Sequence, residues 1–407
     1  MFYCIFAKMK YKITAPKKMK AEVTLPASKS ISNRALIIRA LCKENFIIKN
    51  LSDCDDTQII TEALNAKKKD SPQTIDIGNC GTAMRFLTAY FAIQEGEFIL
   101  TGNERMKCRP IGELVSALQS LGADIKYMGK TGFPPLKISG RKLDGGMVEI
   151  SGNISSQFVS ALLLIAPVLK NGISIKLSDE IASKPYIGTT IWLMKEFGIE
   201  TEWTESNILI VKPQKYVPHD IIIEKDWSAA SYWYEIVALS EDPDAEVVLK
   251  GMNRNSAQGD KIIIDIFKSL NVSSKFVGSD LIIKKTGKSP ICEKPISFRD
   301  CPDIAPTLMA TCKALGIRPR FNGLENLQYK ESDRLAAMEE ELKKISGSCD
   351  ALSFHSHNDH RIAMSLAPLS LCGHTLSIDD VDVVKKSHPS FWQDLRRAGF
   401  DIVDFVQ

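Results

Sequence analysis

Residues 26–36 read PASKSISNRAL, a loop of small and polar residues that leads into an apolar run typical of a buried helix. Similar openings recur at intervals of roughly 50 to 75 residues, at residues 79–82, 153–156, 226–228, 300–303 and 358–360. Behind each opening, a helix is followed by a β-rich stretch and then by a second amphipathic helix. The chain is therefore predicted to consist of six copies of one unit.

Each unit is predicted to contain two helices with a β-rich stretch between them. The first helices are predicted over residues 35–41, 83–92, 158–169, 229–239, 304–315 and 362–371. The β-rich stretches lie at residues 46–48, 98–100, 173–175, 247–249, 319–321 and 375–378. The second helices are predicted over residues 55–64, 111–121, 187–197, 259–270, 332–345 and 389–398.

A pair of strands, such as residues 124–127 and 136–139, completes each unit as β-α-β-α-β-β. Three of the second helices are followed by glycine, the usual helix stop, at Gly122, Gly198 and Gly399. The first unit departs from the pattern, because only one strand, at residues 74–77, is predicted before the second opening. We therefore predict that one unit is shortened.

Six units of this size are expected to form two domains of three units each, because three units make a domain of ordinary size. The chain is predicted to cross between the domains near Ala27 and near Glu224. One domain, residues 28–224, would then be continuous and inserted in a second domain made of residues 1–27 plus 225–407. A cleft between two such domains is a usual place for a binding site.

The composition excludes several classes of function. The 407 residues include 52 basic and 49 acidic ones, and a net charge of +3 is too small to predict nucleic-acid binding. No stretch approaches the roughly 18 apolar residues that cross a bilayer. The ten cysteines show no C-x-x-C spacing, which favours reduced thiols in a reducing compartment. We expect a soluble, cytoplasmic monomer without a membrane partner, whose start is either Met1 or Met9.

The six openings are predicted to bind anions. A helix start offers unpaired backbone N–H groups and the positive end of the helix dipole. Basic residues accompany the openings, and their guanidinium and ammonium groups bind carboxylates and phosphates. We expect several openings to converge on two anionic small molecules, in a cleft that closes over them.

No cofactor and no metal are predicted. The sequence has neither a G-x-x-x-x-G-K-[ST] phosphate loop nor a G-x-G-x-x-G dinucleotide motif, which disfavours ATP and NAD. His355, His357 and His360 are not joined by a carboxylate or cysteine at the spacing of zinc ligands.

Seven motifs occur in one order along the chain: PASKSISNRAL at residues 26–36, GNCGTAMR at 78–85, RMKCRP at 105–110, SSQF at 155–158, SKPY at 183–186, KESDR at 330–334 and NDHR at 358–361. Together they closely resemble the 5-enolpyruvylshikimate-3-phosphate synthase family. The resemblance implies an α/β (α+β) fold, a two-domain inside-out α/β barrel built from six β-α-β-α-β-β repeats.

The resemblance also implies transfer of the enolpyruvyl group of phosphoenolpyruvate to the 5-hydroxyl of shikimate 3-phosphate. The products would be 5-enolpyruvylshikimate 3-phosphate and phosphate, formed through a tetrahedral intermediate in the shikimate pathway to chorismate and the aromatic amino acids. Asp303 is similar to the family's proton acceptor and Glu331 to its proton donor, and Lys29 would stabilise charge on the phosphate. This chemistry needs no metal and no redox cofactor.

The same resemblance implies two sets of binding residues. The shikimate 3-phosphate site would comprise Lys29, Ser30, Arg34, Ser155, Ser156, Gln157, Ser183, Asp303, Asn326 and Lys330. The phosphoenolpyruvate site would comprise Lys29, Gly81, Arg109, Gln157, Arg334, Arg361 and Lys386, with Lys385 as an alternative to Lys386. The chain departs from the family's usual residues at Ala27, Cys80 and Phe86, and the last two leave sensitivity to the inhibitor glyphosate open.

Two alternatives stay open at the level of the sequence. The related UDP-N-acetylglucosamine enolpyruvyl transferases typically carry a Lys-Asn pair at the first opening and a reactive cysteine upstream of the loop arginine. Here Ser30 follows Lys29, and Cys108 abuts Arg109. A non-catalytic, anion-binding relative would be expected to lack one of the three catalytic residues, all of which are present.

Overall fold

The computed structural model describes residues 9–66, 72–153, 155–290, 294–346 and 351–405. The N-terminal residues 1–7, the lysine-rich part of the first unit at 67–71 and Ile154 of the third opening lie outside these ranges. Among the described residues, no helix combines the length and apolar character that crossing a membrane requires. The helices are α1 (Lys29–Leu41), α2 (Asp55–Asn65), α3 (Gly81–Ala92), α4 (Glu104–Lys107), α5 (Gly112–Ser120), α6 (Ser156–Ile165), α7 (Lys184–Glu196), α8 (Trp227–Leu239), α9 (Ile263–Ser269), α10 (Ala305–Ala314), α11 (Arg334–Lys343), α12 (His360–Leu366) and α13 (Phe391–Arg397).

Twenty strands alternate with these helices along the described part of the chain. They are β1 (Lys10–Thr14), β2 (Lys20–Val23), β3 (Ile48–Lys49), β4 (Gln73–Asp76), β5 (Gly96–Thr101), β6 (Asp124–Tyr127), β7 (Leu136–Gly140), β8 (Gly146–Ser151), β9 (Ile173–Ser178), β10 (Glu202–Trp203), β11 (Ile208–Val211), β12 (Ile221–Ile222), β13 (Glu246–Leu249), β14 (Val272–Val277), β15 (Asp280–Lys285), β16 (Ile296–Ser297), β17 (Phe321–Asn322), β18 (Ala351–Phe354), β19 (Thr375–Asp379) and β20 (Asp401–Phe405).

The described strands form six sheets that share one construction. Four sheets have four strands, in the orders β4-β5-β7-β6, β8-β9-β11-β10, β2-β13-β15-β14 and β18-β19-β1-β20. In each of them the first two strands are parallel and the later pairs are antiparallel. The sheets β3-β12 and β16-β17 consist of one parallel pair. A parallel pair needs a crossover connection, which here usually carries the first helix of a unit.

The structure corrects the predicted unit pattern at the fifth copy. Of residues 319–321, only Phe321 belongs to a strand, the two-residue β17 that continues to Asn322. β17 pairs with β16, and in the described residues no antiparallel pair extends that sheet. The fifth unit is therefore shortened like the first, where β3 occupies only the end of the predicted stretch 46–48.

Several helix boundaries differ from the predicted ones. α1 begins at Lys29, whereas the prediction began at residue 35. The prediction was late because buried polar residues in the first turns, Arg34 among them, interrupt the apolar pattern. α12 ends at Leu366, since Pro368 cannot donate to an α-helical ladder and the chain continues as a 3₁₀ turn to Cys372. The predicted helix 259–270 likewise begins with a 3₁₀ turn, over Gly259–Ile262.

Apolar side chains form two separate cores. The inserted core contains buried residues between Ala27 and Ile223, and the terminal core contains those from Ile13 to Leu25 and from Trp227 to Ile402. The chain passes between the cores at two adjacent points, where Ala27 pairs with Lys225 in an antiparallel bridge. These crossings place the helix starts of the two cores opposite each other.

Candidate active site

A cavity of about 480 Å³ lies between the two cores and is lined from both sides. All the predicted site residues line it except Gly81, which lies against Arg109, and Lys386, whose Nζ is 3.8 Å from Glu331. The lining comprises Lys29, Ser30, Arg34, Asp56, Thr82, Arg85, Cys108, Arg109, Pro110, Phe133, Ser155, Ser156, Gln157, Phe158, Ser183, Tyr186, Asp303, Asn326, Tyr329, Lys330, Glu331, Arg334, His360 and Arg361.

Helix starts supply many of these groups, as the sequence predicts. α1 and α6 begin at the cavity from the side of the inserted core, and α11 and α12 begin there from the other side. Ser155 caps α6 by accepting a hydrogen bond from the N–H of Gln157. Asp359 caps α12 by accepting one from the N–H of Arg361, at 2.9 Å. Backbone donors and the positive ends of helix dipoles therefore converge on one space.

Arg334 is the centre of a buried cluster of carboxylates. Its side chain is 1% exposed and donates from Nε to Asp359 Oδ2 at 2.8 Å. Nη2 donates to Glu331 Oε2 at 2.7 Å, and Nη1 donates to Asp303 Oδ1 at 3.2 Å. One rigid guanidinium thus fixes the positions of Asp303 and Glu331 relative to each other, while Asp359 anchors the guanidinium itself.

Asp303 is ionised in this arrangement. Arg361 Nη2 donates to its Oδ2 at 2.8 Å, and Lys330 Nζ lies 3.5 Å from its Oδ1. Burial alone would raise the pKa of the carboxyl group, but the neighbouring cations, Arg361 foremost, outweigh burial and hold the pKa of Asp303 well below its usual value. The free protein therefore presents a carboxylate that can accept a proton.

Glu331 is held by cations in the same way. Besides Arg334, Arg109 Nη1 lies 3.9 Å and Lys386 Nζ lies 3.8 Å from its Oε1. Burial favours the neutral acid, yet these cations together lower the pKa of Glu331 well below its usual value. The protonation state of this carboxyl group therefore depends on what else the cations bind.

Lys29 pairs with a buried carboxylate that the sequence analysis missed. Its Nζ donates to Asp56 Oδ2 at 2.9 Å, and the Asp56 side chain is 4% exposed. Burial would lower the pKa of Lys29, but Asp56, Cys54 and Glu331 together outweigh burial and raise the pKa above its usual value. Lys386 Nζ lies 3.8 Å from the other oxygen of Asp56, whereas Lys385 is exposed and pairs with Asp382. The fold therefore turns Lys386, not Lys385, towards the site.

Three arginines line the inserted side of the cavity. Arg34 donates from Nε to Thr190 Oγ1 at 2.6 Å, and Arg85 donates from Nη2 to the carbonyl of Pro110 at 2.9 Å. Arg109 lies against Gly81, where an added Cβ would come within 2.6 Å of its Nη2. Arg34 and Arg85 are thus held by hydrogen bonds to neighbouring protein atoms, and Gly81 leaves room for the Arg109 guanidinium.

The predicted polar contacts of shikimate 3-phosphate form a separate part of the lining. Gln157 Nε2 donates to Thr82 Oγ1 at 3.3 Å, and Asn326 Nδ2 donates to the carbonyl of Asn153 at 3.0 Å, across the two cores. The other uncharged members of the predicted set are serines at or next to helix starts, namely Ser30, Ser155, Ser156 and Ser183.

The predicted site set leaves out several lining or supporting residues, among them Asp56, Asp359, His360 and Tyr186. Asp56 occupies the first turn of α2, where an acidic residue is ordinary because of the helix dipole. Asp359 and His360 lie within the NDHR motif, and burial lowers the pKa of His360 well below its usual value. Tyr186 lies within the SKPY motif and donates to Asp260 Oδ1 at 2.9 Å. Because Asp359, His360 and Tyr186 lie within these motifs, the sequence offered a reason to include them in the predicted site.

One group of possible metal ligands lies away from the cavity lining. Glu340, Glu341 and His357 present ligand atoms within 4.8 Å of one another. The helix α11 brings Glu341 to His357, at 2.9 Å, although the two are distant in sequence. Lys344 Nζ already lies 2.6 Å from Glu341 and supplies positive charge there.

The electrostatic balance of the cavity differs from that of the whole chain. Its lining contains seven lysines and arginines against three aspartates and glutamates, an excess of four positive charges. At a separation of 4 Å, a pair of opposite charges near a protein surface attracts by about 4 kcal/mol. The cavity is therefore suited to two small molecules that together carry several negative charges.

Comparisons with known proteins identify the family of this chain. The family model for EPSP synthase (3-phosphoshikimate 1-carboxyvinyltransferase) matches residues 13–395. A 3-phosphoshikimate 1-carboxyvinyltransferase of Bacteroides fragilis is 45% identical, over 97% of this chain and 99% of its own length. One of Shewanella halifaxensis is 34% identical, over 92% of this chain and 96% of its own length. The solved structure of EPSP synthase from Acinetobacter baumannii covers 97% of this chain and 100% of its own, with a TM-score of 0.74 at 22% identity, which establishes a shared fold.

Proposed function

The chain belongs to the EPSP synthase family, and we propose that its cationic cavity holds both substrates while Asp303, Glu331 and Lys29 carry the chemistry. As a member of this family, the protein transfers the enolpyruvyl group of phosphoenolpyruvate to shikimate 3-phosphate in the shikimate pathway. The observation that supports the residue roles is the convergence of nearly the whole predicted set on one cavity.

Three events make up the transfer. A proton is delivered to the methylene carbon of phosphoenolpyruvate, the 5-hydroxyl of shikimate 3-phosphate loses its proton and attacks the neighbouring carbon, and phosphate leaves the tetrahedral intermediate. In the proposed assignment, Glu331 gives the first proton and takes it back when the double bond re-forms. Asp303 accepts the proton of the hydroxyl group. Arg334 donates to both carboxyl groups and so holds the proposed base and the proposed acid in fixed positions.

Five cations are assigned to the anionic groups of phosphoenolpyruvate. Arg109, Arg334, Arg361 and Lys386 would hold the anionic groups of phosphoenolpyruvate, and Lys29 would stabilise charge on the departing phosphate. Their present partners are the carboxylates of the protein, at 2.7 to 3.9 Å. Substrate anions would compete for these cations, and closure over the substrates would keep water from the intermediate.

The overall organisation is part of the same proposal. The two apolar cores and the paired crossing at Ala27 and Lys225 support a continuous domain 28–224 inserted in a domain of residues 1–27 plus 225–407. The parallel pair that recurs in each described sheet supports six units arranged as an inside-out barrel. We also propose a monomer, in which the two cores of one chain enclose both substrates, and the free thiols among the described cysteines support a cytoplasmic location.

A direct test measures phosphate release from phosphoenolpyruvate with each possible acceptor. The purified protein is expected to release phosphate with shikimate 3-phosphate and not with UDP-N-acetylglucosamine. Equal turnover with the nucleotide sugar would favour the alternative transferase, and no turnover with either would favour a non-catalytic relative.

Binding of phosphoenolpyruvate is expected to protonate Glu331. The anionic groups of the ligand would bind Arg109, Arg334 and Lys386, the cations that lower the pKa of Glu331. With their charge neutralised, the effect of burial remains, and burial raises this pKa. The test uses the Asp303→Asn variant with shikimate 3-phosphate bound. When phosphoenolpyruvate binds to it, this protein should take up about one more proton per site than the double variant Asp303→Asn with Glu331→Gln. Calorimetry in two buffers of different ionisation heat measures this difference, and identical uptake in both proteins would contradict the assignment of the acid.

Gly81→Ala is expected to weaken the binding of phosphoenolpyruvate but not that of shikimate 3-phosphate. The new methyl group would lie 2.6 Å from Arg109 Nη2 and must displace this buried guanidinium. We expect the KM for phosphoenolpyruvate to rise roughly tenfold while the KM for shikimate 3-phosphate stays within about twofold. Gly188→Ala in α7 is the control, because its Cβ meets open space. A KM for phosphoenolpyruvate that stays at the wild-type value in Gly81→Ala would argue against Arg109 as its ligand.

A further inference from the structure

Arg105 makes three hydrogen bonds across the cleft, all to backbone carbonyl groups. Nε donates to the carbonyl of Glu331 at 3.2 Å, and Nη2 donates to those of Lys330 at 2.9 Å and Gln328 at 3.0 Å. We propose that Arg105 is a positioning residue that orients Lys330 and Glu331 for enolpyruvyl transfer, an inference that rests on the proposed function.

The base of this contact is firmly attached to the inserted core. Arg105 lies in the short helix α4, which Asn103 caps by accepting from the N–H of Met106 at 3.0 Å. Met106 is fully buried in the inserted core, and the N–H of Asn103 donates to the carbonyl of Gly78. Arg109 follows on the same segment and lines the cavity. The same short segment therefore presents one arginine to the substrate site and another to the opposite side of the cleft.

The segment that receives Arg105 carries two groups of the proposed machinery. Residues Glu325–Tyr329 form a 3₁₀ turn, and the chain then runs to the start of α11 without regular helix or strand structure. A hydrogen bond to the carbonyl of Lys330 fixes the peptide plane between Lys330 and Glu331, and a bond to the carbonyl of Glu331 fixes the next plane. Together they set the direction in which both side chains leave the backbone.

The geometry requires arginine in particular. A guanidinium offers several donors in one rigid plane, so that Nε and Nη2 can reach adjacent carbonyls at the same time. A lysine ammonium keeps the charge but concentrates its donors at one point. Because the acceptors are backbone atoms, no side-chain substitution at residues 328, 330 or 331 removes the contact, and the test must be made at Arg105.

The test compares Arg105→Met, Arg105→Lys and Lys107→Met in the full chain. Lys107 lies in the same helix, but its side chain pairs with Glu104 at 2.7 Å within that helix, so it is a matched control. We expect kcat to fall roughly 30- to 100-fold in Arg105→Met and about tenfold in Arg105→Lys, because small displacements of catalytic groups cost up to about 10²-fold. The KM for phosphoenolpyruvate should change less than about threefold, since the anion-binding residues remain.

Amide hydrogen exchange supplies a readout that does not depend on turnover. In Arg105→Met, exchange of residues 327–333 should accelerate at least about tenfold while α1 and α6 keep wild-type rates, and Lys107→Met should match the wild type throughout. A kcat within threefold of wild type in Arg105→Met, or unchanged exchange at 327–333, would overturn the proposal. If the wild-type protein itself released no phosphate, the proposed function would fail, and the exchange experiment would still decide whether Arg105 orders this segment.

Discussion

Lys29→Met is expected to lower kcat by roughly 10²- to 10³-fold, the range that loss of a charge-stabilising group in a closed site produces. Lys29 Nζ lies at the start of α1, is held by Asp56 at 2.9 Å and stays protonated because that carboxylate raises its pKa. Methionine has nearly the same length and carries no charge. Phosphate release under single-turnover conditions measures the loss at the chemical step.

The variant also leaves Asp56 without its closest cation, and removing one partner of a buried ion pair costs about 3 kcal/mol or more of stability. The double variant Lys29→Met with Asp56→Asn separates the two effects. We expect its thermal midpoint to return towards the wild-type value while its kcat stays as low as that of the single variant. Recovery of turnover together with stability would mean that Lys29 supports the fold and not the reaction.

Much of the architecture could be predicted because one loop-to-helix pattern recurs along the sequence. Six loop-to-helix openings, each followed by an apolar run, indicated the first helices, and their positions agree with α1, α3, α6, α8, α10 and α12. Glycine stops were also predicted correctly, since Gly122, Gly198 and Gly399 all have positive φ. These features are local, so a single sequence contains the information that specifies them.

The errors arose where distant segments decide the structure. Residues 351–354 form β18, which pairs with β19 of the next unit, and nothing within the fifth unit indicates that its own sheet stops at a parallel pair. The early start of α1 was missed because its polar residues are buried at the cavity, where burial serves the site rather than the apolar core. Local periodicity cannot describe either case.

The candidate site could be predicted as a set of residues but not as a network. Seven motifs led to nearly all the lining, and the structure brings these residues together. Asp56 and its contact with Lys29 depend on the packing of α2 against α1, and the central role of Arg334 depends on carboxylates from three separate segments. Such pairings require coordinates. The individual roles in catalysis stay predictions until variants are measured.

Asp303→Asn is expected to lower kcat by roughly 10²- to 10⁴-fold, the contribution of a general base. Asparagine keeps the size of the side chain, and its one amide oxygen can accept either from Arg361 or from Arg334 and Lys330, which contact different oxygens of Asp303. Arg334 keeps its bonds to Asp359 and Glu331, so the rest of the cluster should retain its geometry. The variant removes one of only three carboxylates from the lining, and its positive excess grows. Binding of the two anionic substrates should therefore be as tight as in the wild type or tighter, while proton removal from the hydroxyl group fails.

Loss of the base alone should lower turnover and leave substrate binding unchanged or tighter. A damaged site would instead lower turnover and weaken substrate binding together. Asp333→Asn is the matched control, because Asp333 lies on the same loop as Glu331 and caps α11 by accepting from the N–H of Ala336 at 3.1 Å. Asparagine caps helices about as well as aspartate, so this variant should keep kcat within about twofold of wild type. If Asp303→Asn retained more than a tenth of wild-type turnover, or if it bound phosphoenolpyruvate more weakly, Asp303 would be a structural partner of Arg361 and Arg334, and another group would have to accept the proton.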